Sequence, residues 1–218
     1  MRISPSALVL TLLLSLGLAG CADANQSADP APDGSVTCEF PPAGNPARPV
    51  DPPSGEAVPA TGTVTATLQL TAGEVALTLD REKAPCTVAS FLSLAEQGYF
   101  DGTECHRLVD TGIFILQCGD PTATGTGGPG YTVPDEVSKD LTYPAGTVAM
   151  ANASSPNTGG SQFFLVWADT PLPPKYTVFA TMDQAGTDVV GGIAAQGVAA
   201  EDGISPIAEA VIEAVTLG

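Results

Sequence analysis

Residues 63–70 (TVTATLQL) and 74–79 (EVALTL) alternate apolar and polar side chains on either side of Thr71-Ala72-Gly73. Alternation at period two lines one face of a strand with apolar groups, and a short Gly-containing break between two such runs reads as a hairpin. A helical period would scatter the same groups around the axis. Gly and Pro account for 24 and 20 of the 218 residues, which also favours strands and turns over a helical bundle. Further extended runs fall at 104–109 and 113–118, around Asp110-Thr111-Gly112, and shorter ones at 147–151, 162–167 and 176–181. Two helices interrupt them. Pro85 leads into Val88, Phe91, Leu92 and Ala95 at helical spacing, with Gly98 as the stop, and residues 187–196 form the second. The stretch 208–217 (AEAVIEAVTL) is open: Ala and Glu favour a helix, while Val, Ile and Thr permit a strand. The expectation is a mainly β domain, closed into a barrel so that no strand edge is left exposed.

The first residues are an address. Met1-Arg2 is a short positive region, and residues 7–18 (ALVLTLLLSLGL) are almost wholly apolar, as in a secretory signal too short to span a bilayer comfortably. Leu18-Ala19-Gly20-Cys21 resembles the bacterial lipoprotein box, where cleavage before the cysteine leaves its thiol to take a diacylglyceryl group. Residues 1–20 are thus expected to be a signal peptide and Cys21 a lipid anchor, holding the chain outside the cytoplasm on the outer face of the cell membrane. Residues 22–60 carry nine prolines, six acidic groups and a single bulky aromatic, Phe40, so 21–60 reads as an acidic, Pro-rich tether.

Seven basic against 24 acidic residues give a net charge of −17, which excludes a surface built to neutralise phosphates; nucleic acid is not a partner. Apart from Cys21, four cysteines remain: Cys38, Cys86, Cys105 and Cys118. In an oxidising compartment they argue for two disulfides, with three possible connectivities. The chain has no C-x-x-C and one histidine, so no metal site is expected, nor any cofactor.

Several segments in order resemble the cyclophilin family of peptidyl-prolyl cis-trans isomerases: Gly98-Tyr99-Phe100-Asp101-Gly102, Cys105-His106-Arg107-Leu108-Val109, Gln117-Cys118-Gly119-Asp120-Pro121, Met150-Ala151-Asn152-Ala153, and Pro156-Asn157-Thr158-Gly159-Gly160-Ser161-Gln162-Phe163-Phe164. The likeness runs from about residue 63 to 217, within a domain placed at 61–218. It implies an eight-stranded antiparallel closed barrel capped by two helices, with a strand at the C-terminus. It also implies proline-containing polypeptides as substrates and assistance to protein folding.

An X-Pro bond prefers trans only modestly, yet its rotation crosses about 18–20 kcal/mol because amide resonance is lost at the twist. The chemistry needs no nucleophile or metal, only an apolar slot for the proline ring and a donor that favours the twisted amide over the planar one. By the resemblance Arg107 is that donor. Phe114, Ile115, Phe164 and Leu172 form the apolar pocket, with Tyr176 at its edge, while Gln117, Ala151, Asn152 and Gln162 hold the substrate backbone and orient Arg107. Phe163 and Phe164 face opposite ways on one strand, and the family places Phe163 inside.

The sequence departs from the family pattern in places. Two extra residues stand between Arg107 and Phe114, Ile115 replaces the usual methionine, and Tyr176 occupies a position often held by histidine. A tryptophan common just before Leu172 is missing, so weak cyclosporin inhibition is expected. Cys105 and Cys118 replace the common phenylalanine and glycine. A loop at 110–113 would pair 109 with 114 and so 105 with 118, within disulfide reach, leaving Cys38 with Cys86. That register conflicts with the family, because it sets Arg107 opposite Leu116 and turns Gln117 away; a bulge would reconcile the two.

Gly125-Thr126-Gly127-Gly128-Pro129-Gly130 matches G-x-G-x-x-G, but Tyr131-Thr132-Val133-Pro134 follows instead of a helix, so it is no dinucleotide site. His106 next to Cys105 is no nucleophilic pair, since strand neighbours face opposite ways. The rival to the expected monomeric isomerase is a non-catalytic module holding proline-containing segments in the same groove, which would have no need of Arg107 together with Gln117 and Gln162.

Overall fold

The hairpin of residues 63–79 forms the longest ladder in the molecule. A computed structural model describes residues 34–218; the signal peptide, Cys21 and the first part of the expected tether lie outside the described residues. The elements run β1 (Ser35–Val36), β2 (Val58–Pro59), β3 (Thr63–Leu70), β4 (Gly73–Asp80), α1 (Pro85–Glu96), β5 (Thr103–Glu104) and β6 (Arg107–Val109). They continue with β7 (Ile115–Cys118), β8 (Thr147–Met150), β9 (Phe163–Val166), β10 (Val178–Met182), α2 (Gln184–Ala194) and β11 (Val211–Leu217). β3 and β4 pair from Thr63↔Asp80 to Leu70↔Gly73, and their alternation turns Ala66, Leu68, Leu70, Val75, Leu77 and Leu79 inward.

Nine strands form one antiparallel sheet in the order β5-β11-β3-β4-β10-β8-β9-β7-β6. Its two end strands are consecutive pieces of one run, separated only by Cys105 and His106. The expected eight-stranded closed barrel is therefore a curled nine-stranded sheet. At the break the run changes partners: Thr103 and Glu104 pair with β11, whereas Arg107 to Val109 pair with β7. The C-terminal stretch is a strand on β3, with a register shift between Ile212 and Ala214.

Helix α1 opens with Pro85, whose missing N–H would have no intrahelical partner there, and ends before Gly98 at φ +66°. Its Phe91 packs against the rings of Phe100, Phe163 and Phe179 at 5.2–5.6 Å, forming the aromatic centre of the core. Helix α2 begins three residues before the expected start, because Asp183 caps it by accepting from the Gly186 N–H at 2.7 Å. Gly186 also lets the helix approach β4: a Cβ there would stand 2.9 Å from Val75 Cγ1.

Residues 34–60 depart from the tether reading. They form a strap against the domain: β1 pairs with β2, and Cys38 is buried in a disulfide with Cys86 at a Cα separation of 5.5 Å. Arg48 Nη1 donates to the carbonyls of Gly98, Tyr99 and Asp101 just beyond α1, at 2.8–3.1 Å. Gln97 and Asp51 exchange two hydrogen bonds, and Phe40 packs edge-on against Tyr131 at 5.7 Å. Proline-rich composition describes how little such a segment can bury by itself. The covalent link and the carbonyl-bound guanidinium supply the ordering energy from outside it.

Candidate active site

The second hairpin places the candidate side chains. Its register is Arg107↔Gln117, Leu108↔Leu116 and Val109↔Ile115, so the connecting loop is residues 110–114, one residue longer than the expected 110–113. A one-residue shift reverses which face each side chain takes. Leu108 and Leu116 turn into the core, while Arg107, Val109, Ile115 and Gln117 share the outer face, and no bulge is required. Cys105 and Cys118 are still bonded, diagonally, at a Cα separation of 3.9 Å.

Pairing continues across the sheet: Gln117 stands opposite Phe164, Phe164 opposite Ala149, and Ala149 opposite Val178. Arg107, Gln117 and Phe164 are therefore one cross-strand row. Arg107 Nη1 donates to Gln117 Oε1 at 3.1 Å, Gln117 Nε2 donates to Gln162 Oε1 at 2.7 Å, and Gln162 Nε2 donates to the Gly127 carbonyl at 2.9 Å. Each amide is fixed in orientation because its nitrogen must donate onward along this relay. Among the described residues no carboxylate pairs with Arg107, whose remaining guanidinium donors are left without a protein acceptor.

Beside the relay lies an apolar cluster of Ile115, Tyr143, Ala149, Phe164 and Val166, bordered by Ile113, Ala151, Leu172 and Tyr176. Tyr176 packs edge-on to Phe164 at 5.4 Å, and the Tyr143 hydroxyl clamps Tyr176 by donating to its carbonyl and accepting from its N–H, both at 3.0 Å. Ile115, Phe164, Leu172 and Tyr176 thus come together in or beside one apolar cluster. Phe114 does not: its ring packs against Trp167 at 5.0 Å and Ile113 borders the cluster in its place, a consequence of the same register shift. Tyr143 was not legible beforehand; it is an isolated aromatic before a proline, with no periodicity to mark it.

Ala151 gives its N–H to the Gln162 carbonyl at 2.9 Å, which leaves its own carbonyl for a ligand. Asn152 is occupied with structure, since its Nδ2 donates to the Lys175 carbonyl and its Oδ1 accepts from the Ser154 N–H. An open groove of about 500 Å³ continues from Arg107 along Val109 and Asp110 to Ala199 and Ile204. Among the described residues His106 is buried without a hydrogen-bond partner, and burial lowers its pKa, favouring the neutral imidazole. With Cys105 in a disulfide, a Cys-His nucleophile is absent.

Such a site can hold a small apolar ring against Phe164 and present a fixed, charged, multi-donor group beside it. Residues 64–217 match the family model for cyclophilin-type peptidyl-prolyl cis-trans isomerase/CLD. The chain belongs to the cyclophilin-type peptidyl-prolyl cis-trans isomerases. It is 44% identical over 208 residues to a probable peptidyl-prolyl cis-trans isomerase B of Mycobacterium leprae, covering 88% of this chain and 70% of that one. A namesake from Mycobacterium tuberculosis is 42% identical, covering 86% of this chain and 66% of its own length, just under two thirds. The fold is similar to the crystal structure of a Cryptosporidium parvum cyclophilin, with a TM-score of 0.65, 29% identity, and 72% of this chain and 98% of that one covered. The same cyclophilin was also solved in the presence of the dipeptide Ala-Pro, with a TM-score of 0.64, 30% identity, and 71% of this chain and 98% of that one covered.

Proposed function

We propose that this isomerase works outside the cytoplasm, held on the outer face of the membrane by lipid on Cys21, and speeds the folding of proline-containing polypeptides there. It acts as a monomer. The observation that carries the reading is the Cys105–Cys118 disulfide, which brackets the hairpin bearing Arg107 and Gln117. Persistent disulfides belong to oxidising compartments, so this catalytic hairpin is built for one. The lipoprotein box at residues 18–21 supports the same location.

In this reading the proline ring sits on Phe164, walled by Ile115, Leu172 and Tyr176. Arg107, steered by Gln117 and Gln162, donates to the twisted amide, favouring the displaced carbonyl or the pyramidal nitrogen over the planar ground state. The Ala151 carbonyl accepts from the substrate backbone. No proton transfer is involved, because the guanidinium stays charged throughout. Lowering the barrier by about 7 kcal/mol would correspond to about a 10⁵-fold acceleration.

Fractionation of cells producing the full chain tests the location. The chain is expected with the membrane and its four remaining cysteines oxidised, while Cys21→Ser is released as a soluble extracytoplasmic protein. Both forms should speed the proline-limited refolding phase of a disulfide-intact secreted protein. Recovery of the wild type in the cytoplasm with free thiols would overturn the assignment.

A further inference from the structure

The strap lies outside the residues matched by the family model, which begins at residue 64, whereas the 88% coverage of this chain by the Mycobacterium leprae relative is too long to leave it out. Its backbone–backbone hydrogen bonds to the domain fall on the loop that ends the relay. Gly127, whose carbonyl receives Gln162 Nε2, belongs to a stretch with glycines at 125, 127, 128 and 130, a backbone with high entropy to lose on ordering. The near side of this loop is held from within: the buried Asp120 carboxylate accepts from the Thr122 N–H at 2.8 Å and the Gly127 N–H at 2.9 Å.

The far side is held by the strap. Ala47 N–H donates to the Gly128 carbonyl and Ala43 N–H to the Gly130 carbonyl, each at 2.8 Å, and the Thr132 N–H donates back to the Pro41 carbonyl at 2.9 Å. The two backbones run so close that a Cβ on Gly130 would stand 3.0 Å from Pro46 Cδ. Immediately after Ala47, Arg48 fastens the strap to the three carbonyls beyond α1. Hydrogen bonds and two short backbone steps, Arg48–Ala47 and Gly128–Gly127, thus join Arg48 to Gly127, Gln162, Gln117 and finally Arg107.

We infer that the strap is a positioning element of the active site: by fixing the 128–132 backbone it sets the Gly127 carbonyl, and through Gln162 and Gln117 it sets the aim of the Arg107 guanidinium. Arg48 is the positioning residue that locks it. A donor that must meet a transition state is sensitive to displacement well below the length of a hydrogen bond. Loosening the strap therefore lowers turnover without touching any group that meets the substrate.

The inference rests on Arg107 and its relay being the catalytic machinery, and a double-mutant cycle on the full chain in detergent separates the two. The rate of Ala-Pro peptide isomerisation is measured for wild type, Arg48→Ala, Gln162→Ala and the double variant. Arg48→Ala is expected to reduce kcat/KM about tenfold. In the Gln162→Ala background the same change should matter less than about twofold, because the route to Arg107 is already cut. An equal loss in both backgrounds, or full activity in Arg48→Ala, would overturn the inference. If Arg48→Ala does not fold, Arg48→Lys carries the same cycle, keeping the charge and a donor for the carbonyls. A wild type that is itself inert would instead strike at the role of the relay.

Discussion

Phe163 and Phe164 are neighbours on β9, exposed by 0% and 2%, yet they belong to different worlds. Phe163 is enclosed by Phe91 on α1, Phe179 on β10 and Phe100 in the turn that follows α1. Phe164 is covered by Tyr143 and Tyr176, carried by connecting segments and held mainly by one hydroxyl clamp. Burial alone does not distinguish a core residue from a binding wall. What distinguishes them is the covering layer: helix, sheet and one tight turn over Phe163, and connecting segments joined by the Tyr143–Tyr176 clamp over Phe164.

The sharpest way to break this comparison is to truncate both rings. Phe163→Ala should lose about 3–5 kcal/mol, a large share of a domain's stability, because the surrounding ladder cannot collapse into the void. Phe164→Ala should lose less in denaturant titration, since loops can settle into the gap, but kcat/KM should fall by roughly tenfold or more with the proline slot gone. Equal losses of stability with unchanged activity would erase the distinction. Next in size is the bond beneath the outer row. Replacing Cys105 and Cys118 together by Ala opens a link spanning 13 residues, with an expected loss of about 3 kcal/mol in non-reducing denaturation and a lower kcat/KM as the hairpin register loosens.

A smaller effect distinguishes the two faces by pH. Burial pushes the Asp120 carboxyl up, but the Thr122 hydroxyl and the N–H groups of Gly127 and Thr122 donating to it outweigh this, so its pKa lies below the ordinary 3.8. A carboxyl with a depressed native pKa contributes stability that is present above the unfolded value and lost as pH falls through the native one. Acid unfolding below pH 3.8 should therefore have a component that Asp120→Asn removes, with a loss of about 1–2 kcal/mol at neutral pH. The smallest expected effect is inhibition by cyclosporin, weak because Pro171 and not a tryptophan stands immediately before Leu172; a nanomolar inhibition constant would contradict it.

Much of the inner face was legible in the sequence. The alternation at 63–79, the spacing of Val88, Phe91 and Ala95, and the opposed Phe163 and Phe164 are local patterns that reflect a single large core. The outer face was legible chiefly through motif resemblance, and its details were not. Ile113, Phe114 and Ile115 are all apolar, so alternation could not decide which of them begins β7, and a single residue of loop length moved Arg107 from opposing Leu116 to opposing Gln117. The strap was hidden for a different reason. Its order comes from Arg48 on distant carbonyls, a contact with no signature in the local composition, and from the Cys38–Cys86 bond, a pairing the cysteine count allows but that composition alone does not connect to an ordered segment.

Arg107 carries the proposed mechanism. The most direct measurement follows cis-to-trans relaxation of an Ala-Pro peptide with the full chain, wild type and Arg107→Ala side by side, each first shown to unfold in the same denaturant range. The wild type should accelerate the slow phase, and Arg107→Ala should lose about 10²–10³-fold of that rate while keeping its stability, as expected for removal of a donor aimed at the transition state. A folded Arg107→Ala that retains the wild-type rate would contradict the mechanism.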